Sequence, residues 1–418
     1  MCFALRIVHA ADLHIDSPLR GLVAYEGAPL AEVRDAPRRA CEKLVAYCID
    51  SKASLLLIAG DLYDGDWKEF STGIFFMNAM SRLREANVRV AIVRGNHDAQ
   101  SQITRALRLP ENVRELSSRK AETIVYEDLG VAVHGRSFPE RAVTSDLSRE
   151  YPPPVANMLN VGLLHTCAEG RAGHDSYAPC SVAFLRDRGY DYWALGHVHQ
   201  REVLSRDPWI VFPGNLQGRH VRESGSKGAT TIDVVHGKIE AVEHVALDVV
   251  RWAECVVDVD ASASVHDVID AARAALAAES ERAEGRVLAA RVVVRGAESA
   301  LARVIAHREA VTAEMQLVAN DLRDVYFEKL KTEITEARAP RAAGSTEEWV
   351  DALETMADVS DEELVAMSNE ALAEIRAKLP IELTTGEGAL NLDDPNVLRA
   401  LLREAEQEIV AKARGDER

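Results

Sequence analysis

The sequence lacks any apolar run of 18 residues, so we expect no membrane-spanning helix in it. Its first residues, MCFALRIVHA, are apolar, but no basic segment precedes them and no small-residue cleavage site follows, which favours a first strand over a signal peptide. Cysteine is sparse as well: six cysteines are scattered along 418 residues, with no C-x-x-C pair. This usage suits a reducing compartment, and we expect a cytoplasmic protein with buried thiols.

A basic surplus is also missing. The net charge of -18 argues against a nucleic-acid partner, because phosphate binding usually comes with an excess of Lys and Arg. The acidity is uneven, however: residues 1–250 carry 29 basic and 32 acidic side chains, whereas the remaining 168 residues carry 20 and 35. The acidic character therefore belongs mainly to the C-terminal part of the chain, and several N-terminal carboxylates are candidates for binding cations.

The first 250 residues alternate short β-branched runs with longer helical patterns, which is typical of an α/β fold. Amphipathic helices near 33–51 and 68–86 are long enough to cross between parallel strands. After about residue 120 the strands follow one another more closely, which favours antiparallel pairing. We predict strands at 4–10, 54–60, 88–94, 131–134, 159–164, 192–196, 209–212, 229–235 and 239–246.

The pattern changes near residue 250, and we predict three domains with boundaries at 1–250, 251–313 and 314–418. The second domain has a strand-helix-strand-helix pattern and is predicted to be a small α/β unit. In the third, apolar residues such as Trp349, Leu364 and Met367 recur at helical spacing among many charges. Such amphipathic helices either pack on their own chain or offer an apolar stripe to a partner.

Polar clusters follow five of the predicted strands, at the edge where open α/β sheets bind their ligands. A single histidine at a strand end is more often a hydrogen-bonded structural residue than a ligand, but five clusters in one domain favour a binding site. The clusters contain Asp12 and His14, then Asp61, then Asn96, His97 and Asp98, then His165, and finally His197 and His199.

The side chains in these clusters supply carboxylate oxygen, imidazole nitrogen and one amide oxygen. This set suits Mn, Fe or Zn, whereas Mg and Ca favour a shell made almost entirely of oxygen. No cysteine belongs to the set, which argues against a structural thiolate zinc site. In the D-x-H and H-x-H pairs, residues i and i+2 of an extended chain point to the same side and can approach one ion together.

The order D-x-H, G-D, G-N-H-D, H and G-H-x-H resembles that of the calcineurin-like metallophosphoesterase superfamily. Within it, the chain is most similar to SbcD-type DNA-repair exonucleases, especially their YhaO-like branch. The similar stretches are HAADLHIDSPLRGL (9–22), AGDLYDGDW (59–67), ALGHVHQREVL (194–204) and FPGNLQGRH (212–220). The resemblance implies a four-layer αββα sandwich, followed by a small α/β capping domain and a helical C-terminal tail.

The resemblance also implies two divalent metal ions, most often Mn²⁺, with the Asp61 carboxylate bridging them. One ion would be held by Asp12, His14, Asp61 and His199, and the other by Asp61, Asn96, His165 and His197. The implied chemistry is hydrolysis of a phosphoester by a hydroxide that both metals activate.

The family's catalytic pair corresponds to His97 and Asp98. His97 would donate a proton or stabilise charge in the transition state, and the Asp98 carboxylate would orient its ring. An alternative is that Asp98 caps the helix predicted after it, and both roles are compatible. We leave Arg94, Asn215, Arg219 and His220 outside the predicted site, because surface, carboxylate-pairing or loop roles explain them as well.

The sequence predicts a metal-dependent DNA exonuclease, the nuclease subunit of an SbcCD-like repair complex. The loop after Asp61 reads LYDGDW and lacks the arginine of the G-D-x-V-D-R-G motif of protein phosphatases, and the appended regions match the layout of SbcD-like nucleases. The alternatives are a phosphoesterase acting on nucleotides or other small phosphoesters, and a non-catalytic adaptor of an ATPase.

The resemblance implies DNA and a coiled-coil ABC-type ATPase of the SbcC or YhaN kind as partners. The acidic C-terminal region fits protein binding better than DNA binding. SbcD-like proteins are typically dimers, which leaves a homodimer open, and no membrane partner is expected.

Overall fold

The computed structural model describes residues 4–17, 35–63, 70–100, 109–168, 178–335, 360–373 and 391–402, with the single positions 19, 33, 375 and 405. Trp349 of the predicted C-terminal helices lies outside the described residues. The chain divides into two compact units: Met1–Glu254 with Ala278–Arg291 and Leu322–Glu328, and Cys255–Ala277 with Val292–Asp321 and Lys329–Arg418.

The regular elements of the described residues are fifteen strands and seven α-helices. The strands are β1 (Ala4–Ala10), β2 (Leu55–Ala59), β3 (Arg89–Val93), β4 (Val113–Glu115), β5 (Glu122–Tyr126), β6 (Val131–Gly135), β7 (Leu159–His165), β8 (Tyr192–Gly196), β9 (Glu202–Arg206), β10 (Trp209–Phe212), β11 (Gly228–Val235), β12 (Lys238–Ala246), β13 (Val250–Val259), β14 (Val287–Gly296) and β15 (Val325–Ile334). The helices are α1 (Ala36–Asp50), α2 (Phe70–Glu85), α3 (Val182–Asp187), α4 (Val265–Arg282), α5 (Glu298–Ala306), α6 (Arg308–Asp321) and α7 (Asp361–Ala371).

Two six-stranded sheets build the first 250 residues. The first sheet has the order β12-β11-β1-β2-β3-β4, and β1 to β4 run parallel. The second has the order β5-β6-β7-β8-β10-β9, with β6, β7, β8 and β10 parallel. The antiparallel pairing predicted after residue 120 is therefore wrong for the centre of this sheet. The connections over 136–158 and 166–191 are long enough for parallel crossovers, and only the edges form antiparallel pairs.

Strand β2, with the sequence LLLIA, shows how the layers are held together. All five of its residues are buried, as expected for a parallel strand that is covered on both faces. Leu55, Leu57 and Ala59 pack between the two sheets, while Leu56 and Ile58 pack on the other face, in the core that α1 and α2 cover. This alternation joins the helix layer and the sheet–sheet interior through one short strand.

Helix α1 illustrates why the outer layer forms where it does. Pro37 lies in its first turn, where the missing N–H costs nothing. Its buried residues recur every three to four positions, including Ala40, Leu44 and Cys48, and they form one stripe against the first sheet. On the outer face of the second sheet the cover includes the short helix α3 and the 3-10 turn at Leu147–Glu150. The four-layer αββα sandwich is therefore confirmed, although the layer outside the second sheet is thin.

Strands β13, β14 and β15 form a separate three-stranded sheet in that order. The boundary predicted at residue 313 falls inside α6, and β15 lies beyond it. We predicted a helical region from residue 314 onward, and the strand β15 departs from that prediction. In β15, with the sequence VYFEKLKTEI, Val325, Phe327 and Leu330 are buried among charged neighbours, and that charge density hid the strand.

None of the helices in the part of the chain that the structure describes is both long enough and apolar enough to cross a membrane.

Candidate metal centre

The predicted ligands come together at the carboxyl ends of β1, β2, β3, β7 and β8. Strands β1 to β3 belong to the first sheet and β7 and β8 to the second, so the site lies where the two sheets meet. Backbone hydrogen bonds from Asp12 N to Gly60 O (3.0 Å) and from His14 N to Asp61 O (3.1 Å) tie the segments after β1 and β2 together. Predicted ligands that are up to 187 positions apart in the sequence, from Asp12 to His199, therefore lie close together.

One group of possible ligands, the first group, consists of Asp12, His14 and His199, all of them buried. The Nε2 atoms of His14 and His199 are 3.2 Å apart, and His199 Nε2 is 3.9 Å from Asp12 Oδ1. Two imidazole nitrogens at this distance share either a proton or a cation. Because a carboxylate oxygen faces the same point, the arrangement fits a divalent cation.

The other group, the second group, consists of Asp12, Asp61 and His165, with Asn96 beside them. His165 Nε2 lies 3.5 Å from Asp61 Oδ2 and 2.9 Å from Asn96 Oδ1. Its other nitrogen, Nδ1, is 2.9 Å from Ala59 O, which can only accept a hydrogen bond, so Nδ1 carries the proton. Burial lowers the pKa of His165, which keeps the imidazole neutral at pH 7.

This leaves the lone pair of His165 Nε2 facing the Asn96 amide oxygen, which is also an acceptor. Two acceptors 2.9 Å apart repel each other unless a cation lies near both of them. The residues present therefore fit a metal ion of the Mn, Fe or Zn type, with nitrogen, carboxylate and amide donors.

Asp12 is the carboxylate that the two groups share. The resemblance implies Asp61 as the bridge instead, and that role stays a prediction. His197 is in neither group, but its backbone N–H donates to both oxygens of Asp12 at 3.1 and 3.0 Å, and its ring centroid lies 5.2 Å from that of His165. A direct ligand role for the His197 ring also stays a prediction.

The backbone is strained at four of the predicted ligands. Asp12, His14, Asp61 and His197 have φ values of 51°, 42°, 52° and 101°, a region that non-glycine residues rarely adopt. Each such residue costs about 1–3 kcal/mol, and the conformation persists only where the surrounding structure enforces it. Clustering of this kind is typical of functional sites rather than of ordinary turns.

Two glycines allow the close approach of these segments. A Cβ atom at Gly95 would lie 2.2 Å from Asp61 Oδ1, and one at Gly196 would lie 1.9 Å from the Ala59 carbonyl oxygen. Neither distance is tolerated by real atoms, so any larger residue would push the ligands apart.

The carboxylates of the site differ in charge state. Burial alone would raise the pKa of Asp61, but the imidazoles of His165, His97, His14 and His197, in their protonated forms, outweigh it and lower that pKa to about 2. For Asp98, burial and then the charge of Asp61 raise the pKa to about 7, against three backbone N–H groups that lower it. Asp61 is therefore an anion at neutral pH and a competent ligand.

His97 and Asp98 lie at the same edge. The His97 backbone N–H donates to Asp61 Oδ1 (3.0 Å), and its ring centroid is 5.2 Å from that of His14. The Asp98 carboxylate accepts hydrogen bonds from the backbone N–H groups of Leu62 (2.9 Å), Tyr63 (3.2 Å) and Gly95 (3.0 Å). These partners differ from the His97 ring that we predicted for Asp98, and they join the loops after β2 and β3. The helix predicted after Asp98 lies largely outside the described residues.

The four residues left outside the predicted site have clear partners. Arg94 forms an ion pair with Glu115 at 2.7 Å, as the carboxylate-pairing alternative predicts. Asn215 and Arg219 both bind Glu223, and His220 Nε2 lies 3.6 Å from the same carboxylate.

The sequence reasoning missed Glu223 itself. Its Oε1 lies 2.7 Å from Nδ1 of His199, a member of the first group, and its side chain is only 6% exposed. A signal was available, because Glu223 stands three residues after the FPGNLQGRH stretch, which carries part of the resemblance.

Comparison with known families agrees with this geometry. Residues 5–201 match the calcineurin-like phosphoesterase family, and residues 252–335 match the middle domain of the metallophosphoesterase YhaO. The metallophosphoesterase YhaO of Bacillus subtilis is 33% identical over 259 residues, which cover 61% of this chain and 63% of the relative. The DNA double-strand break repair protein Mre11 of Methanopyrus kandleri is 27% identical over 231 residues, 50% of this chain and 48% of the relative.

Among solved structures, a dimetal phosphatase from Danio rerio is similar, with 12% identity and a TM-score of 0.36 over 58% of this chain and 99% of that one. The matched part of the chain thus spans between about half and just under two thirds of the curated relatives. Residues 5–201 thus correspond to a calcineurin-like phosphoesterase domain, and residues 252–335 to a YhaO-type middle domain.

Proposed function

We propose that this chain is a metal-dependent DNA exonuclease that hydrolyses phosphodiester bonds with two divalent ions, Mn²⁺ in the cell. The observation that carries the proposal is the pair of ligand groups around Asp12, in which two acceptors, His165 Nε2 and Asn96 Oδ1, face each other at 2.9 Å. DNA as the substrate is supported by the similarity to relatives named as DNA double-strand break repair proteins.

Two bound ions would supply a nucleophile at neutral pH and neutralise charge at phosphorus. The protein's own contribution is to hold the ligands and to manage protons around them. Asp12 and Asp61, which follow the neighbouring strands β1 and β2, would supply carboxylate oxygens to the ions. His97, whose backbone is anchored on Asp61, is the side chain that we propose donates a proton to the departing oxygen.

A substrate panel tests the choice of DNA. Purified chain, stripped of metal and then supplied with Mn²⁺, is incubated with linear duplex DNA, single-stranded DNA, mononucleotides and a phosphopeptide. We expect nucleotides to be released from DNA only with Mn²⁺, and an Asp61→Asn variant to lose this activity. Asp128→Asn, which changes an exposed carboxylate paired with Arg89, is the matched control and should behave like the wild type.

Each other outcome has a distinct meaning. Efficient hydrolysis of mononucleotides or phosphopeptide with DNA untouched would replace the nuclease by a small-substrate phosphoesterase. Absence of bound Mn, Fe or Zn, together with unchanged partner binding by Asp61→Ala, would establish the adaptor alternative.

We further propose that the acidic C-terminal region binds a coiled-coil ABC-type ATPase in the cytoplasm. Met367 on α7 is 48% exposed, and Ile375 just beyond it is 53% exposed, so apolar side chains are available on a charged segment. An apolar side chain surrounded by charge suits docking onto another helix.

Binding of the purified chain to an SbcC-like or YhaN-like ATPase, measured by interferometry, tests this partner. Met367→Glu should weaken binding at least about tenfold, because a charge would be buried without a partner. Leu317→Glu is the matched control, since Leu317 is exposed on α6, and it should bind normally. Equal loss in both variants, or in neither, would contradict a docking surface at α7.

A further inference from the structure

Glu223 is a buried carboxylate that hydrogen-bonds His199 and several other donors beside the metal centre, and the mechanism above does not use it. It ends the 3-10 turn Val221–Glu223, which follows β10. Its Oε2 accepts from the Arg219 backbone N–H (2.7 Å) and from Asn215 Nδ2 (2.8 Å), and its Oε1 accepts from Arg219 Nη2 (3.0 Å). With Arg219 Nε, which lies 3.4 Å from Oε1, four donor atoms besides that of His199 converge on it, as suits an ionised carboxylate, which only accepts.

The remaining partner of Glu223 Oε1 is His199 Nδ1, at 2.7 Å. A carboxylate can only accept, so this nitrogen must carry the proton, and His199 Nε2 is left with its lone pair. That lone pair faces the first group, where His14 Nε2 lies 3.2 Å away. Arg219 Nη2 is 3.1 Å from the same Nδ1, but both atoms are donors, so they form no hydrogen bond with each other. The Arg219 guanidinium lies there because it neutralises the charge of Glu223.

The second group has a different support. His165 Nδ1 donates to the Ala59 carbonyl in β2, which is neutral and part of the sheet. A negatively charged partner makes an imidazole a stronger metal ligand than a neutral carbonyl does. The two histidines are thus oriented by unlike partners, a charged side chain for His199 and a neutral backbone carbonyl for His165.

We propose that Glu223 is a positioning residue that fixes the tautomer and ring orientation of His199, and thereby sets the affinity of the first group for its divalent ion. The second group does not depend on it. This inference rests on the proposed function, because it presupposes that the two groups bind divalent ions.

The test measures metal binding rather than hydrolysis. Metal-free full-length chain is titrated with Mn²⁺ by calorimetry, and bound metal is counted after gel filtration. The wild type should bind two ions. Glu223→Gln should keep one site at the wild-type dissociation constant and weaken the other by about 10- to 100-fold. Glu328→Gln is the matched control, because Glu328 is a mostly buried carboxylate paired with Arg291 at 2.7 Å, and it should bind both ions normally.

The outcomes separate the two proposals. If the wild type binds no divalent ion, the proposed function fails. If the wild type binds two ions and Glu223→Gln binds both with unchanged constants, or loses both equally, the role of Glu223 is overturned.

A measurement on the wild type guards against misfolding of the variant. Long-range ¹⁵N NMR of histidine-labelled, metal-free protein, with His199 assigned from a His199→Gln sample, reports which nitrogen is protonated. We expect the proton on Nδ1 of His199 before any metal is added. A proton on Nε2 would overturn the proposal even if Glu223→Gln does not fold.

Discussion

The first and second ligand groups share Asp12, but a histidine in each is oriented by a different kind of hydrogen-bond partner. His199 of the first group is held by the Glu223 side chain, which comes from a turn after β10. His165 of the second group is held by the Ala59 carbonyl, inside β2. A side chain can be exchanged by one substitution, whereas a strand carbonyl cannot. The first group is therefore the adjustable half of the centre, and the second is fixed by the sheet.

Substitution of Asp12, which both groups share, is expected to have the largest effect on metal binding and activity. Asp12→Asn removes a charge from both groups, so we expect both ions to be lost and DNA hydrolysis to fall to the uncatalysed background. Metal content by mass spectrometry and a nuclease assay measure the two effects. Retention of one tightly bound ion would show that Asp12 belongs to a single group.

His97 tests whether a side chain can matter to catalysis while belonging to neither group. We expect His97→Ala to lower hydrolysis roughly 10²- to 10⁴-fold, because a proton donor is lost, while both ions remain bound. His236→Ala, at the exposed turn between β11 and β12, is the control. If metal content falls in parallel with activity, His97 is a ligand and the proposed role is wrong.

Gly95 lets the second group be damaged alone. In Gly95→Ala the new methyl group would meet Asp61 Oδ1 at 2.2 Å and His165 Cε1 at 2.8 Å, so both second-group ligands must move. We expect the Mn²⁺ dissociation constant of one site to rise about tenfold or more, and that of the other to stay unchanged. Gly130→Ala, in open space with φ of +67°, should cost about 1 kcal/mol of stability and leave both sites intact. Equal weakening of both sites in Gly95→Ala would remove the distinction between the groups.

His9 extends the comparison to a buried histidine whose two hydrogen-bond partners are neutral. It contacts Tyr192 Oη and Leu195 O, and burial lowers its pKa from 6.5 to about 3. Because the folded protein resists protonating it, the stability that neutral His9 contributes is present above pH 6.5 and is lost as the pH falls toward 3. Between pH 7 and pH 5 this amounts to about 2 kcal/mol of unfolding free energy.

Urea unfolding of the wild type and of His9→Gln at both pH values measures this smallest effect. Other buried histidines contribute to the pH dependence of both proteins, so the difference between them isolates His9. A variant that loses as much stability on acidification as the wild type would show that His9 already titrates normally.

Much of this organisation is visible in the sequence because it depends on local patterns. The bounds of β1, β8 and β10 match the apolar runs, and the strand-end clusters around Asp12 and Asp61 do lie together. Each of these features combines a short buried strand with polar residues directly after it, and both signals are contiguous in the chain.

The features that the sequence did not reveal depend on distant partners. Asp98 stands beside His97, yet its carboxylate binds the backbone of Leu62 and Tyr63, which only the pairing of β2 with β3 brings near. Glu223 belongs to the site only through its hydrogen bond with His199, which lies on another loop. Strand β4 has three residues, too few for any periodicity to show.

The left-handed backbone at Asp12, His14 and Asp61 has a consequence for the order in which the protein folds. These conformations are unfavourable in a free chain, and the contact between Asp12 and His197 spans 185 residues. Contacts of such long range form only after much loop entropy has been lost. We therefore expect the ligand geometry to close late, after both sheets have assembled, so that an ion arrives at a nearly finished protein rather than guiding its folding.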